Sequence, residues 1–188
     1  VGSEMCIRDR VMGAQQTDYV IEPKFDGVSI AVHYENDVFV QAITRGNGET
    51  GEDVTNNVKT LRNLPLRLPL SRFGISRAEF RGEIYIRKAA FDQLNKSRLE
   101  EGLDPFQNSR NTASGSLRLK DAQTVRSRPL EVVFFQCVHC DNQDPAKKLD
   151  KDHSRQMELL YSAGLPTTHT YIKLSNTVES LREVVDYW

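Results

Sequence analysis

The chain is short of the features that mark several protein classes. Three cysteines in 188 residues are too few for a disulfide framework, which points to a reducing compartment rather than a small secreted scaffold. No apolar run approaches the roughly 20 residues of a bilayer-spanning helix. The first residues also lack the charged, apolar and small-residue order of a secretory signal. We therefore expect a cytoplasmic protein with no membrane association. Neither sign of charge dominates: 25 Lys and Arg stand against 26 Asp and Glu, a net charge of −1, so no overall basic field announces a nucleic-acid binder. Internal repeats and low-complexity tracts are missing too. What remains, 38 % hydrophobic and 27 % charged residues, suits one soluble domain with a real core.

The near-neutral total hides an uneven distribution. From Glu35 to Asp53 five acids (Glu35, Asp37, Glu49, Glu52, Asp53) face one base, Arg45; from Asn108 to Arg128 five bases (Arg110, Arg118, Lys120, Arg126, Arg128) face one acid, Asp121. The second segment is the place to look for phosphate contacts, although a charge run also serves as a solvated face. Cys137-Val138-His139-Cys140 has metal-like spacing. A zinc site would need two further ligands, and no second cysteine pair exists, so a strand end that carries thiols is the expected reading and no metal ligand is assigned.

The stretch around which the rest is organised is Glu22-Pro23-Lys24-Phe25-Asp26-Gly27. Read as the end of a strand running from Tyr19 to Phe25, it places Glu22, Lys24 and Asp26 on one face and Ile21, Pro23 and Phe25 on the other. An ordinary lysine, with a pKa of about 10.4, exposes its free amine at neutral pH only at a deficit of roughly 4 kcal/mol. Flanking carboxylates deepen that deficit. A nucleophilic Lys24 therefore requires compensation from arginines elsewhere in the chain, a metal ion or the carboxylates' own hydrogen-bond partners. The same hexapeptide also suits a plain salt bridge, and by itself does not separate the two.

Along the chain, Val28 to Tyr34 and Val38 to Arg45 read as strands joined in a hairpin at Glu35-Asn36-Asp37. Gly46-Asn47-Gly48-Glu49-Thr50-Gly51 spells a dinucleotide-binding glycine pattern. Its acidic neighbours and the preceding meander argue against that use, and a loop leading to a helix from Val54 to Leu61, capped near Asp53, is expected instead. Ala78 to Ile86 alternates, with Glu79, Arg81, Glu83 and Tyr85 on one face. A helix from Lys88 to Glu101 buries Ala90, Phe91 and Leu94 and stops at Gly102. Asn108 to Leu119 reads as helical, its Arg110 and Arg118 eight positions apart and so on nearly one face. Leu130 to Val138 should be a buried strand, His153 to Ala163 an amphipathic helix, and the stretch after Asn176 a last helix carrying Val178, Leu181, Val185 and Trp188 inward.

Lys24-Phe25-Asp26-Gly27, the Thr44–Thr55 block, Arg81-Gly82-Glu83-Ile84 and Asn108–Arg118, in that order, resemble the adenylation domain of bacterial NAD-dependent DNA ligases, from about Tyr19 to Trp188. The resemblance implies an α+β fold of antiparallel sheets with flanking helices, the covalent nucleotidyltransferase fold. It makes Lys24 the nucleophile that takes AMP from NAD, places Asp26 at the metal or nucleophile, and gives Glu22, Arg45 and Glu83 to the nucleotide. If the strands pack as the resemblance implies, Arg45 ends its strand beside Lys24 and is the leading candidate for the compensating charge. It sets Arg110 and Arg118 near phosphate or nicked duplex DNA, with Mg²⁺ as the metal and Zn²⁺ only in a later module. Ser109 stands where the family usually has proline.

Residues 1–10 do not match what precedes the lysine motif in that family and read as a non-native leader. Residues 11–188 would then be a partial adenylation domain, without the family's region for the nicotinamide half of NAD and without its later lysines. Such a fragment, a monomer by expectation, should not seal nicks alone. An ATP-dependent ligase or capping-type enzyme, or a non-catalytic nucleotide-binding module, are the alternative readings.

Overall fold

The structure, a computed structural model, describes residues 19–141, 153–168 and 172–174. The expected leader and the expected last helix lie outside them. The chain divides into two compact units, Val1–Pro23 with Thr170–Trp188, and Lys24–His169. In the first, strand β1 (Tyr19–Ile21) pairs antiparallel with β6 (Ile172–Leu174), Tyr19 opposite Leu174.

The second unit is built on a four-stranded antiparallel sheet of β2 (Val28–Glu35), β3 (Val38–Thr44), β4 (Arg77–Tyr85) and β5 (Glu131–Cys140), in the order β3-β2-β4-β5. This is the α+β architecture expected. β2 and β3 form the anticipated hairpin, whose turn residues Asn36 and Asp37 have φ of 49° and 67°. That left-handed pair matches the twist of the flanking strands, and Asn and Asp tolerate it better than most side chains. Asp37 also accepts from the Ser71 amide at 2.7 Å and its hydroxyl at 2.6 Å, tying the turn to a short 3₁₀ helix, Leu70–Phe73.

One face of the sheet is apolar. Ile30, Val32 and Tyr34 of β2, Phe80 and Ile84 of β4, and Val132 and Phe134 of β5 are all 1 % exposed or less. Each such burial contributes about 1.5–3 kcal/mol against leaving the side chain in water. The Tyr34 hydroxyl, the polar exception, donates to the Pro65 carbonyl at 2.6 Å, and burial pushes its pKa well above the usual phenol range. Both sheet edges are covered. β3 pairs outward through Phe39 to Leu66 and Thr44 to Glu52, and β5 bonds through the Phe134 amide to Pro166, so neither edge is left as a pairing template.

The helices are α1 (Thr55–Val58), α2 (Lys88–Glu100), α3 (Ser109–Leu117), α4 (Ala122–Ser127) and α5 (His153–Ala163). Three expectations need correction. β1 ends at Ile21, not Phe25, because Pro23 has no N–H to give to a ladder; residues 22–26 run outside any strand. α1 is a single turn, since the Thr60 amide and hydroxyl both bond the Asn57 carbonyl that a longer helix would offer to Leu61. α2 has no fully buried residue, and Ala90, Phe91 and Leu94 are only half-buried. α4, which the sequence reading passed over, starts at Asp121, whose carboxylate accepts from the amides of Gln123 and Thr124. Cys137 is buried, and its hydrogen bond to Cys140, then burial, hold its thiol above the usual range.

Candidate active site

Lys24, Asp26, Arg45, Glu83, Arg110 and Arg118 line a single cleft of about 1210 Å³ over the polar face of the four-stranded sheet. Glu22 belongs to the first unit and is described with it.

Lys24 and Asp26 sit on the connection into β2, both exposed, while Phe25 between them is half-buried. The alternation inferred for a strand thus survives without one. Phe25 holds the segment down by packing against the Tyr85 ring, centroids 4.8 Å apart. Gly27 then passes so close to β4 that a Cβ would lie 2.1 Å from the Ile84 carbonyl oxygen. The neighbour for which Gly27 makes room is strand β4. That approach lets the Gly27 amide bond the Glu83 carboxylate.

Glu83 comes from the polar face of β4, with Arg81 and Glu79 two and four positions before it along the same cleft. Burial raises its pKa above the usual carboxylate value, and the Asp26 charge adds to that; the Gly27 amide, Arg110 and Lys24 pull the other way without cancelling it. Glu83 is therefore a carboxylate in search of donors, as one suited to hydroxyl groups of a ligand would be.

Arg110 in the first turn of α3 and Arg118 at its C-cap, eight positions or about two turns apart, both line the cleft, as the spacing predicted. Arg110 pairs with Asp26 at 3.4 Å and Arg118 with Glu52 at 2.5 Å, the latter also donating to the Ser114 hydroxyl at 3.1 Å. The guanidinium nearest the acid beside Lys24 is thus that of Arg110; Arg45, the leading candidate from sequence, lines the cleft elsewhere. All four side chains of these pairs are more than half exposed, so each pair contributes at most about 1 kcal/mol and can open for a ligand. The α3 terminus carrying Arg118 is fixed by Asn57, whose side-chain amide donates to the Leu117 and Leu119 carbonyls at 2.7 and 2.8 Å. The Asn108 side chain caps the other end by accepting from Asn111.

Arg45 follows β3 directly, its amide bonded to the Ser29 carbonyl at 3.2 Å. Neither Arg45 nor Lys24 forms an ion pair among the described residues. The glycine loop after Arg45 closes on itself: the Asn47 side chain accepts from the amides of Glu49 and Thr50 at 3.0 and 2.8 Å. Those amides are spent internally, and the sheet is antiparallel, which rules out the βαβ unit that a dinucleotide fingerprint requires.

A profile of the NAD-dependent DNA ligase adenylation domain matches residues 4–188. The chain belongs to that family. Among curated relatives it is 42 % identical to a DNA ligase of Aquifex aeolicus over 95 % of this chain and 24 % of the relative, and 41 % identical to one of Sulfurihydrogenibium azorense over 93 % and 25 %. A DNA ligase of Myxococcus xanthus is 40 % identical over 94 % and 26 %. The chain thus spans about a quarter of the length of these ligases.

Sequence reasoning missed His33, which lines the cleft from β2. Its signal was available, since Ser29, Ala31 and His33 share a face by the same period of two that singled out Glu83. Asn57 left no local trace, because its partners lie 60 and 62 residues away. Among the described residues no group of three or more His, Cys, Asp or Glu is arranged to hold a metal. No helix among them is long and apolar enough to cross a membrane.

Proposed function

We propose that this chain is the catalytic heart of an NAD-dependent DNA ligase of the covalent nucleotidyltransferase fold, and that Lys24 is its nucleophile. The observation that carries the reading is the convergence of Lys24 and Arg45, two cations without ion-pair partners among the described residues, with Glu83 and the two α3 arginines in one cleft. The Lys24 amine, deprotonated, attacks the α-phosphorus of the adenylyl half of NAD; an N–P bond forms, the bond to the bridging oxygen breaks, and nicotinamide mononucleotide leaves with that oxygen as its phosphate. The adenylyl group then passes to a 5′-phosphate at a nick in duplex DNA, from which a 3′-hydroxyl displaces AMP.

Each residue has a task that its position supports. Arg110, by pairing with Asp26, offsets the carboxylate that would otherwise hold Lys24 in its ammonium form. Arg45 stands ready for phosphate oxygens. Glu83 suits the ribose hydroxyls. Arg118, released from Glu52, would take a phosphate by its planar fork. Asp26, an exposed carboxylate at the mouth of a cleft without a protein cage, fits a magnesium ion that keeps its waters and arrives on phosphate oxygens. Bound there, Mg²⁺ would neutralise charge on the transferring phosphoryl group.

The test is a chimaera in which residues 19–188 replace the matching segment of the Aquifex aeolicus ligase. The reading expects nick sealing with NAD, none with ATP, and none with Lys24→Arg. Sealing with ATP would favour an ATP-dependent ligase; nucleotide binding without sealing in an otherwise folded chimaera would favour a binding module.

A further inference from the structure

The flank of α3 turned away from Arg110 and Arg118 borders a second cavity, of about 390 Å³, walled by Phe106 and Arg128. The Nε of Arg128 is buried and has no hydrogen-bond partner, and none of the ion pairs among the described residues includes this guanidinium. Arginine cannot shed its charge, so a buried, unpaired N–H is a donor waiting for an acceptor. Ser116, only 5 % exposed, lines the same cavity with its hydroxyl group. One unsatisfied donor and one buried serine thus line a single space.

That space is held in shape. The Asn95 side chain clamps the Phe106 backbone through two hydrogen bonds, of 2.9 and 2.7 Å. The Arg98 and Arg128 guanidiniums lie 4.1 and 5.5 Å from the centre of its ring. On the α3 side Gly115 leaves the floor open, since a Cβ there would meet nothing within 4 Å.

We infer that this cavity binds a small organic phosphate monoester, its oxyanion on Arg128 and the Ser116 hydroxyl and its compact apolar body over Gly115 against Leu119. The guanidinium fork takes two oxygens and the serine a third, which a phosphate monoester supplies and a carboxylate does not. The volume calls for the organic body: at about 30 Å³ per water the cavity holds roughly a dozen waters, far more than a bare anion displaces, and it falls in the range of small-molecule sites. This site is separate from the Lys24 cleft and does not depend on the ligase reading.

The test is a titration of the full chain with phenyl phosphate, followed by amide and arginine side-chain NMR. Saturable shifts at Gly115, Ser116 and the Arg128 Nε–H are expected, with at least a tenfold loss of affinity in Arg128→Met and a comparable loss in Gly115→Leu. The leucine fills the floor without altering charge and has no neighbour to displace, so it decides the matter even if Arg128→Met does not fold. No binding, shifts confined to Arg45, Arg110 and Arg118, or wild-type affinity in Gly115→Leu would each overturn the inference. So would inorganic phosphate binding as tightly as phenyl phosphate.

Discussion

Neighbouring residues of β4 live under opposite rules. Ala78, Phe80 and Ile84 turn to the core and are 4 % exposed or less, while Glu79, Arg81 and Glu83 line the Lys24 cleft. The apolar face gains stability wherever it is covered. The cleft face gives some up, since it keeps a half-buried carboxylate whose ionisation burial opposes, and leaves Lys24 and Arg45 without ion partners among the described residues. The fold is held by one side of the sheet, and the other side carries the cleft to which the proposed chemistry is assigned.

Substitutions on the two faces should therefore separate stability from function. The largest stability loss is expected for Phe80→Ala, about 3–5 kcal/mol for an aromatic removed from a packed core, whereas Arg81→Gln one position on should stay within about 0.5 kcal/mol. Urea unfolding of both measures the contrast, and equal losses would break it. Gly27→Ala comes next. Its Cβ would meet the Ile84 backbone at 2.1 Å, and the strain of such overpacking is about 1–3 kcal/mol, with the Lys24 segment pushed from β4 and adenylation falling along with stability.

Glu83→Gln is the sharpest of the small effects. A carboxyl whose folded pKa is raised favours the fold when protonated and disfavours it when ionised, so removing the charge should raise the melting temperature at pH 7 while abolishing nucleotide binding. That advantage should shrink as pH falls through the raised pKa and vanish below the ordinary carboxylate value. An advantage that persists in acid would mean that Glu83 costs the fold nothing electrostatically. Asp141 is the counterpart: hydrogen bonds from Ser76, then Arg77, lower its pKa. Its contribution is present above the ordinary carboxylate range and lost as pH drops through the depressed value, so Asp141→Asn should flatten acid unfolding slightly.

Much of this was legible before the structure. The alternation of β4, the Asn36-Asp37 turn, the Gly102 stop and the common face of Arg110 and Arg118 are all local patterns, and local patterns are what a sequence displays. Pro23 is a local signal too, and its missing amide ends β1 at Ile21 although the period of two runs on past it. What stayed hidden depends on partners far along the chain. Gly27 answers to Ile84, Asn57 to Leu117 and Leu119, and Asn63 to both backbone groups of Val132. The pairing of Asp26 with Arg110, not Arg45, belongs to the same class, since only the packing of α3 against the sheet brings residue 110 to residue 26.

The most direct measurement is peptide mapping by mass spectrometry of the ligase chimaera after incubation with NAD labelled in its adenine ring. The account predicts one acid-labile AMP, on Lys24, absent from Lys24→Arg and reduced in Arg45→Gln. An adduct on another residue, or one that persists in Lys24→Arg, would contradict it.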